Sequence, residues 1–263
     1  MARLRGSRAA WLTFATWLAL PVVAQDQEGG DSGLYLGVVA ASALYDVDYQ
    51  KGVDSTNPAN MSANAGRILF SNDSADDITW DAGPVLGYRF GAGPSYLEIE
   101  ADLANYTGSV SGRLPGAGSS PGRNQLGEVW PENWSLAKER SLGLTLRLGS
   151  AMPALGGSIY GFAGLRRLDA EFATSYRGCL SPSGCAPGQL TFGEETHDEE
   201  FDAWVAGVGL EKMLGKIGIR AEVRYTDHGE SSRTVPFESV AVVVPVTLAT
   251  SELGVGLGLI WRL

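Results

Sequence analysis

The sequence predicts an all-β chain folded as an eight-stranded antiparallel up-and-down transmembrane β-barrel. Three observations predict it. Eight segments alternate apolar and polar residues with the period of two that belongs to a strand. The connections between them alternate long and short. One face of each segment is almost purely aliphatic, while the other carries charges of both signs beside many glycines.

The segments are expected at 34–49, 80–90, 95–106, 139–148, 158–172, 201–213, 217–227 and 252–263. The connections are then 50–79, 91–94, 107–138, 149–157, 173–200, 214–216 and 228–251. In an antiparallel meander, odd and even connections lie at opposite ends of the sheet. Four long extracellular loops, counting 107–138 and its like, and three short periplasmic turns follow, the asymmetry of outer-membrane barrels. The short links Gly91-Ala92-Gly93-Pro94 and Leu214-Gly215-Lys216 have turn chemistry.

The barrel is placed at 34–263, after a signal peptide at 1–24 and an acidic N-terminal linker at 25–33. Arg3, Arg5 and Arg8 precede an apolar run that ends at Val22-Val23-Ala24, a small-x-small cleavage pattern. A membrane helix is the competing reading, but the run is short and Pro21 breaks its end. The 20 basic side chains include those three arginines, so 17 remain against 30 acidic ones, a net charge of −13. Nucleic acid is excluded as a partner by that surface. No later apolar run suits a membrane helix, so a membrane-bound chain must cross as a closed barrel.

Cys179 and Cys185 enclose five residues, and in an exported chain they are expected to form a small disulfide. No metal centre is expected. The chain has only His197 and His228, and no CxxC or HExxH spacing. No cofactor is expected either.

Charge decides which face meets lipid. In 95–106, Leu97, Ile99, Ala101 and Leu103 oppose Glu98, Glu100 and Asp102. In 139–148, alternate leucines oppose Ser141, Gly143, Thr145 and Arg147. In 217–227, Ile217, Ile219, Ala221, Val223 and Tyr225 oppose Arg220, Glu222 and Arg224. A basic side chain facing mid-bilayer lipid costs roughly 2–4 kcal/mol, so the charged faces must point inward. The last segment, Leu253 to Leu263, sets Gly254, Gly256 and Gly258 toward that crowded lumen and must pair with 34–49 to close the ring. Aromatic belts are expected at both interfaces: Tyr88, Phe90 and Trp261 at the short-turn end, and Tyr45, Tyr49, Trp80, Tyr106 and Tyr225 at the long-loop end. Segment 158–172 fits poorly, because Tyr160 and Phe162 share a face with Arg166; a bulge near Gly164 would resolve it.

The run Ala221-Glu222-Val223-Arg224-Tyr225-Thr226-Asp227 resembles the seventh-strand Glu-x-Arg-Tyr-Thr-Asp signature of porin-like outer-membrane β-barrel proteins, and Leu34-Tyr35-Leu36-Gly37 resembles their opening strand. By layout, the chain is similar to the small eight-stranded outer-membrane barrels of Gram-negative bacteria, OmpA-like and opacity-like. The resemblance implies export to the cell outer membrane, contact with lipid and lipopolysaccharide, and handling by the barrel-assembly machinery through the C-terminal strand. It leaves the extracellular ligand open. Members of the family usually end on phenylalanine, whereas this chain ends Trp261-Arg262-Leu263.

Three constellations could carry activity. Glu98, Glu100, Asp102, Arg147, Arg220, Glu222 and Arg224 form either a salt-bridge gate in a narrow pore or a plug of paired charges. The plug is favoured, since an eight-stranded bore is just filled by side chains. His228 and Ser231 could serve as base and nucleophile of a lipid A-modifying enzyme, or be ordinary polar residues past a strand end. The acidic runs 72–77 and 194–200 could hold divalent cations, yet they lack the EF-hand spacing and read as solvated loops. The expected role is structural or surface-interacting, with a narrow pore as a variant. A secreted soluble barrel binding an apolar ligand is the rival fold-level reading.

Overall fold

A computed structural model of the chain describes residues 32–60, 65–114, 132–178, 191–238 and 241–263. The expected signal peptide, most of the linker and the Cys179–Cys185 pair lie outside these residues.

Among the described residues nine strands form: β1 (Gly33–Asp54), β2 (Ile68–Ala92), β3 (Ser95–Thr107), β4 (Ser109–Leu114), β5 (Glu132–Met152), β6 (Gly157–Gly178), β7 (Thr191–Leu214), β8 (Ile217–Phe237) and β9 (Val242–Arg262). All pairings are antiparallel, in the order β3-β2-β1-β9-β8-β7-β6-β5-β4, with β3 also paired to β5. β3 and β4 are one stave interrupted at Gly108, whose φ of 100° breaks the run, so the ring has eight staves. The seam between first and last strands runs from Tyr35↔Arg262 to Asp54↔Val243, and the Leu263 amide donates to the Leu34 carbonyl at 3.0 Å.

The strands are longer than the sequence pattern suggests. β1, β2 and β5 to β9 have 21 to 25 residues each. A tilted strand needs only about 9–11 residues to cross a bilayer. Much of what looks like loop is strand: the connection after β1 shrinks to 55–67, and the one after β8 to 238–241. Pro245 lies within β9, where the β9–β1 ladder skips from Val246 to Val243 and no backbone donor is needed from the proline. Pro84 likewise sits where the β2–β3 ladder skips from Ala82 to Val85.

The outward faces divide each stave into two zones. Apolar residues face outward over 34–44, 78–90, 97–103, 142–148, 159–165, 204–214, 217–225 and 253–261. Above this band the outward residues turn polar at one level, where Asp46 pairs with Asp76 and Ser251, Ser251 with Asp227, and Arg140 with Asn105 and Asp169. The band is the height of a bilayer core, and the strands project beyond it.

At the same border the interior inverts. Below it the inner face is charged; above it the inner face is an apolar core of Val47, Tyr49, Val110, Leu114, Trp134, Leu136, Phe172 and Val246. β6 shows both environments: Leu165 is 71% exposed on the lipid side, whereas Phe172 is 0% exposed in the upper interior. A barrel wall in water must bury its apolar side chains inside; a wall in lipid displays them outside.

That inversion corrects the expected aromatic belts. Tyr45, Tyr49 and Tyr106 face inward and are buried, because they lie at or above the border, where aromatic rings belong to the core. Trp80, Tyr88, Phe90, Tyr225 and Trp261 face outward. Trp204 joins the upper group, its ring centroid 5.4 Å from that of Tyr225.

No bulge occurs near Gly164: β6 keeps its register throughout, with Tyr160, Phe162, Arg166 and Leu168 all inward. The irregularity lies on the neighbouring strand, between Lys138 and Arg140. It shifts the inward parity of β5 from Ser141 below to Lys138 above. A second bulge between Asp227 and Gly229 does the same for β8, with Gly229 at φ 69° supplying the left-handed residue.

Candidate functional site

The barrel interior within the apolar band is the site that gathers most of the predicted charges. Each comes from the inner face of its strand. Where that face carries a glycine instead, a ring fills the space: the Tyr96 ring lies where a Cβ on Gly149 would be, 2.1 Å from that position, and Tyr160 covers Gly209 in the same way.

Arg220 is the hub of the lower lumen. Its guanidinium donates to Glu211 at 2.8 Å, to Glu98 at 2.7 Å and to Glu100 at 2.5 Å. Arg89 donates to both oxygens of Glu211, at 2.6 and 2.8 Å, and to Glu98. Arg147 bridges Glu100 and Glu222. The Tyr35 hydroxyl donates to Glu100 at 2.8 Å, and that of Tyr160 to Glu222 at 2.7 Å. Rings also receive the cations: Arg89 lies 3.9 Å from the Tyr96 centroid, and Arg147 4.9 Å from that of Phe162.

Above this hub, Arg224 pairs with Asp81, and Arg166 donates to Asp102 at 2.7 Å and to the Tyr106 hydroxyl at 2.9 Å. Between the two layers lies a cavity of about 30 Å³ lined by Thr145, Arg147, Arg166 and Arg224, among others. It has room for about one or two waters. At the border, Lys138 pairs with Glu252 and sits 4.4 Å from the ring centroids of both Tyr45 and Tyr106.

All seven predicted lumen charges, Glu98, Glu100, Asp102, Arg147, Arg220, Glu222 and Arg224, thus lie in this stack. The sequence reading missed Arg89, Glu211, Asp81, Arg166, Lys138 and Glu252. Strand parity was the available signal: Arg89 stands between outward Tyr88 and Phe90, and Glu252 precedes the alternating run from Leu253. Lys138 could not be found so, because the bulge beside it changes the parity.

His228 and Ser231 are not brought together. His228 points into the lumen, edge-on to Tyr45 with centroids 5.7 Å apart, and its Nε2 is 3.8 Å from Glu252. His228 thus lies within β8 and inside the lumen, not among polar residues past a strand end. Ser231 lies beyond the Gly229 bulge and donates to Glu199 at 2.6 Å. Of the acidic runs, Asp73 bonds within the barrel wall, while Asp76, Asp198 and Glu200 are exposed. Among the described residues, no cluster of histidine, cysteine and carboxylate side chains is arranged to hold a metal ion.

A closed hydrogen-bonded ring, an apolar outer band one bilayer high and an ion-paired lumen define an integral outer-membrane β-barrel. The soluble apolar-ligand barrel is thereby excluded, since the outward leucines and valines of the band would all stand in water. No protein-family model and no curated protein matches the sequence. Among solved structures, the chain is similar to the outer membrane protease OmpT from Escherichia coli, at 6% identity and a TM-score of 0.45, over 88% of this chain and 97% of that one. It is also similar to Neisserial surface protein A, at 12% identity and a TM-score of 0.31, over 86% and 97% of the two chains. For Ail, the attachment invasion locus protein of Yersinia pestis, the values are 14%, 0.25, 84% and 98%.

Proposed function

We infer that this is a non-conducting outer-membrane barrel whose lumen is a structural plug and whose projecting half serves surface interaction. The observation that carries this is the double filling of the bore. Arg220 is locked among three carboxylates in the membrane zone, and above the border the interior is packed with rings and aliphatic chains. A water-filled path needs both to be displaced. The reading is non-enzymatic, supported by the separation of His228 from Ser231. Its surface partners include outer-membrane lipid and lipopolysaccharide, approached by the polar ring at Asp46, Asp76 and Asp227. The C-terminal strand, paired to its end with β1, is the segment presented to the barrel-assembly machinery.

Planar-bilayer recording from purified monomer tests this. No stable unit conductance is expected from the full chain. A reproducible conductance level that Arg220→Ala abolishes or enlarges would overturn the plug.

A further inference from the structure

Just above the apolar band, the β8–β9 ladder shifts register between Asp227 and Gly229. His228 is the residue at that bulge, and its ring enters the interior where the charged lumen meets the apolar core. The ring is 1% exposed and stands edge-on to Tyr45 of β1 and Phe201 of β7, with centroids 5.7 and 6.5 Å away. Neither ring nitrogen has a hydrogen-bond partner among the described residues. The imidazole is thus held as an aromatic wedge and not as a hydrogen-bonding group. Buried polar atoms without partners are costly, and a phenylalanine would fill the same slot without that cost. What phenylalanine lacks is the ability to take up a proton.

The surrounding charges make that proton unwelcome. Glu252 of β9 lies 3.8 Å from Nε2, and Lys138 of β5 is ion-paired with the same carboxylate oxygen. Lys138 also sits over the rings of Tyr45 of β1 and Tyr106 of β3. Arg166 of β6 and Arg224 of β8 act on the same layer, but each has a carboxylate of its own, Asp102 of β3 and Asp81 of β2. A protonated ring would therefore meet Glu252, which Lys138 already engages. Two cations would share one carboxylate in a buried layer, an arrangement that burial penalises. Burial lowers the pKa of His228 below the usual histidine value, and Lys138 and Arg166 add to the shift against the pull of Glu252.

We propose that His228 is an acid-sensitive latch between the ion-paired plug and the apolar core above it: protonation drives the ring from its slot between Tyr45 and Phe201 and loosens the projecting half. The folded layer binds this proton less tightly than the unfolded chain does. Its contribution to stability is complete above the ordinary histidine range and is lost as pH falls through that range. Tyr45 and Phe201 belong to the upper core together with Val246 and Leu248 of β9, so the upper half takes the effect. Below the border the ring of strands is closed in lipid, and Arg89, Arg147 and Arg220 stay charged and keep their carboxylates. The bulge supplies the hinge, since the ladder already shifts there and Gly229 has a φ of 69°. Acidification thereby opens the upper interior while the membrane zone remains shut.

This inference rests on the reading of the upper interior as the second filling of the bore. Its test is amide hydrogen exchange of the full chain in phospholipid vesicles, corrected for the intrinsic pH dependence of exchange. The two conditions are about pH 7.5 and about pH 5.5, on either side of the ordinary histidine value. Residues 229–237 and 242–250 should exchange about tenfold or more faster at the lower pH, while 217–225 and 253–261 should not change. His228→Phe, which keeps a ring in the slot, should remove the response. His197→Gln, at the other histidine of the chain, should leave it intact. His228→Gln serves as the second neutral variant, and heat-modifiable gel mobility shows which variants are folded. No acceleration in wild type, an acceleration that survives in the folded His228 variants, one that His197→Gln removes, or one that spreads into the membrane zone overturns the latch. Stable conductance at neutral pH, with this exchange pattern intact, fails the parent reading alone.

Discussion

Arg220 donates through all three of its guanidinium nitrogens, to two carboxylates of β3 and one of its own hairpin partner, with Glu211 on β7 bound at 2.8 Å through Nε. Glu211 and Arg220 are directly opposed in the β7–β8 ladder, flanking the short turn at 215–216. The hairpin that is simplest to form therefore carries the hub of the lumen. Charges so deeply buried are tolerated only when each is paired.

Removing the hub leaves Glu98, Glu100 and Glu211 short of a partner. Arg220→Leu should destabilise the folded barrel by about 3–5 kcal/mol. Urea-dependent folding into vesicles, read by tryptophan fluorescence, measures it. A change below about 1 kcal/mol, the range of an exposed pair, would show that the network is not buried as described.

The border between zones predicts a depth dependence. Leu257→Arg, in the middle of the β9 outer face, should cost roughly 2–4 kcal/mol. Asp48→Arg, outward on β1 above the border, should stay within about 0.5 kcal/mol as an ordinary surface change. Comparable costs at both positions would contradict the placement of the bilayer.

Lys138 and Glu252 are a buried pair at that border, each with a side chain 0% exposed. Lys138→Met alone should be strongly destabilising, by about 3–5 kcal/mol, since Glu252 is left uncompensated. The double variant Lys138→Met with Glu252→Gln should recover most of the loss. A double-mutant cycle in thermal melts reads the coupling, and additive losses would sink the pairing.

Two glycines on facing sides of the wall should respond oppositely. A Cβ on Gly149 meets the Tyr96 ring at 2.1 Å, so Gly149→Ala should cost about 1–3 kcal/mol through overpacking. A Cβ on Gly161 has only the Gly207 carbonyl near it, at 3.9 Å, so Gly161→Ala should stabilise the strand by roughly 0.5–1 kcal/mol. The order of the two melting temperatures relative to wild type decides.

Asp46 stands just outside the apolar band. Partial burial, then Asp48 and the directly opposed Asp76, hold its pKa above the usual carboxylate value. A raised folded-state pKa means that the folded protein binds this proton more tightly than the unfolded chain. Its favourable contribution is complete below the ordinary carboxylate range and is lost as pH rises through the elevated value. Asp46→Asn should therefore raise stability slightly at neutral pH and flatten the stability profile in the mildly acidic range. Unchanged profiles for wild type and variant would remove Asp46 from that role.

The sequence by itself determined the eight staves, the closure of the last strand on the first, and the faces of the membrane zone. Alternation in Leu97–Leu103 or Leu253–Leu263 is a local property, because each side chain's face follows from backbone geometry alone. The lumen charges on β3, β5 and β8 were legible for the same reason. Only the tertiary structure decided where the membrane ends. Period two says that Tyr45, Val47 and Tyr49 share a face, but not whether lipid or core meets that face, and the answer reverses at Asp46. It also decided that Arg220 meets Glu98 and Glu100 of β3, over 100 residues away along the chain. The bulges that put Lys138 and Ser231 inside arise from register between strands, a relation that no single segment contains.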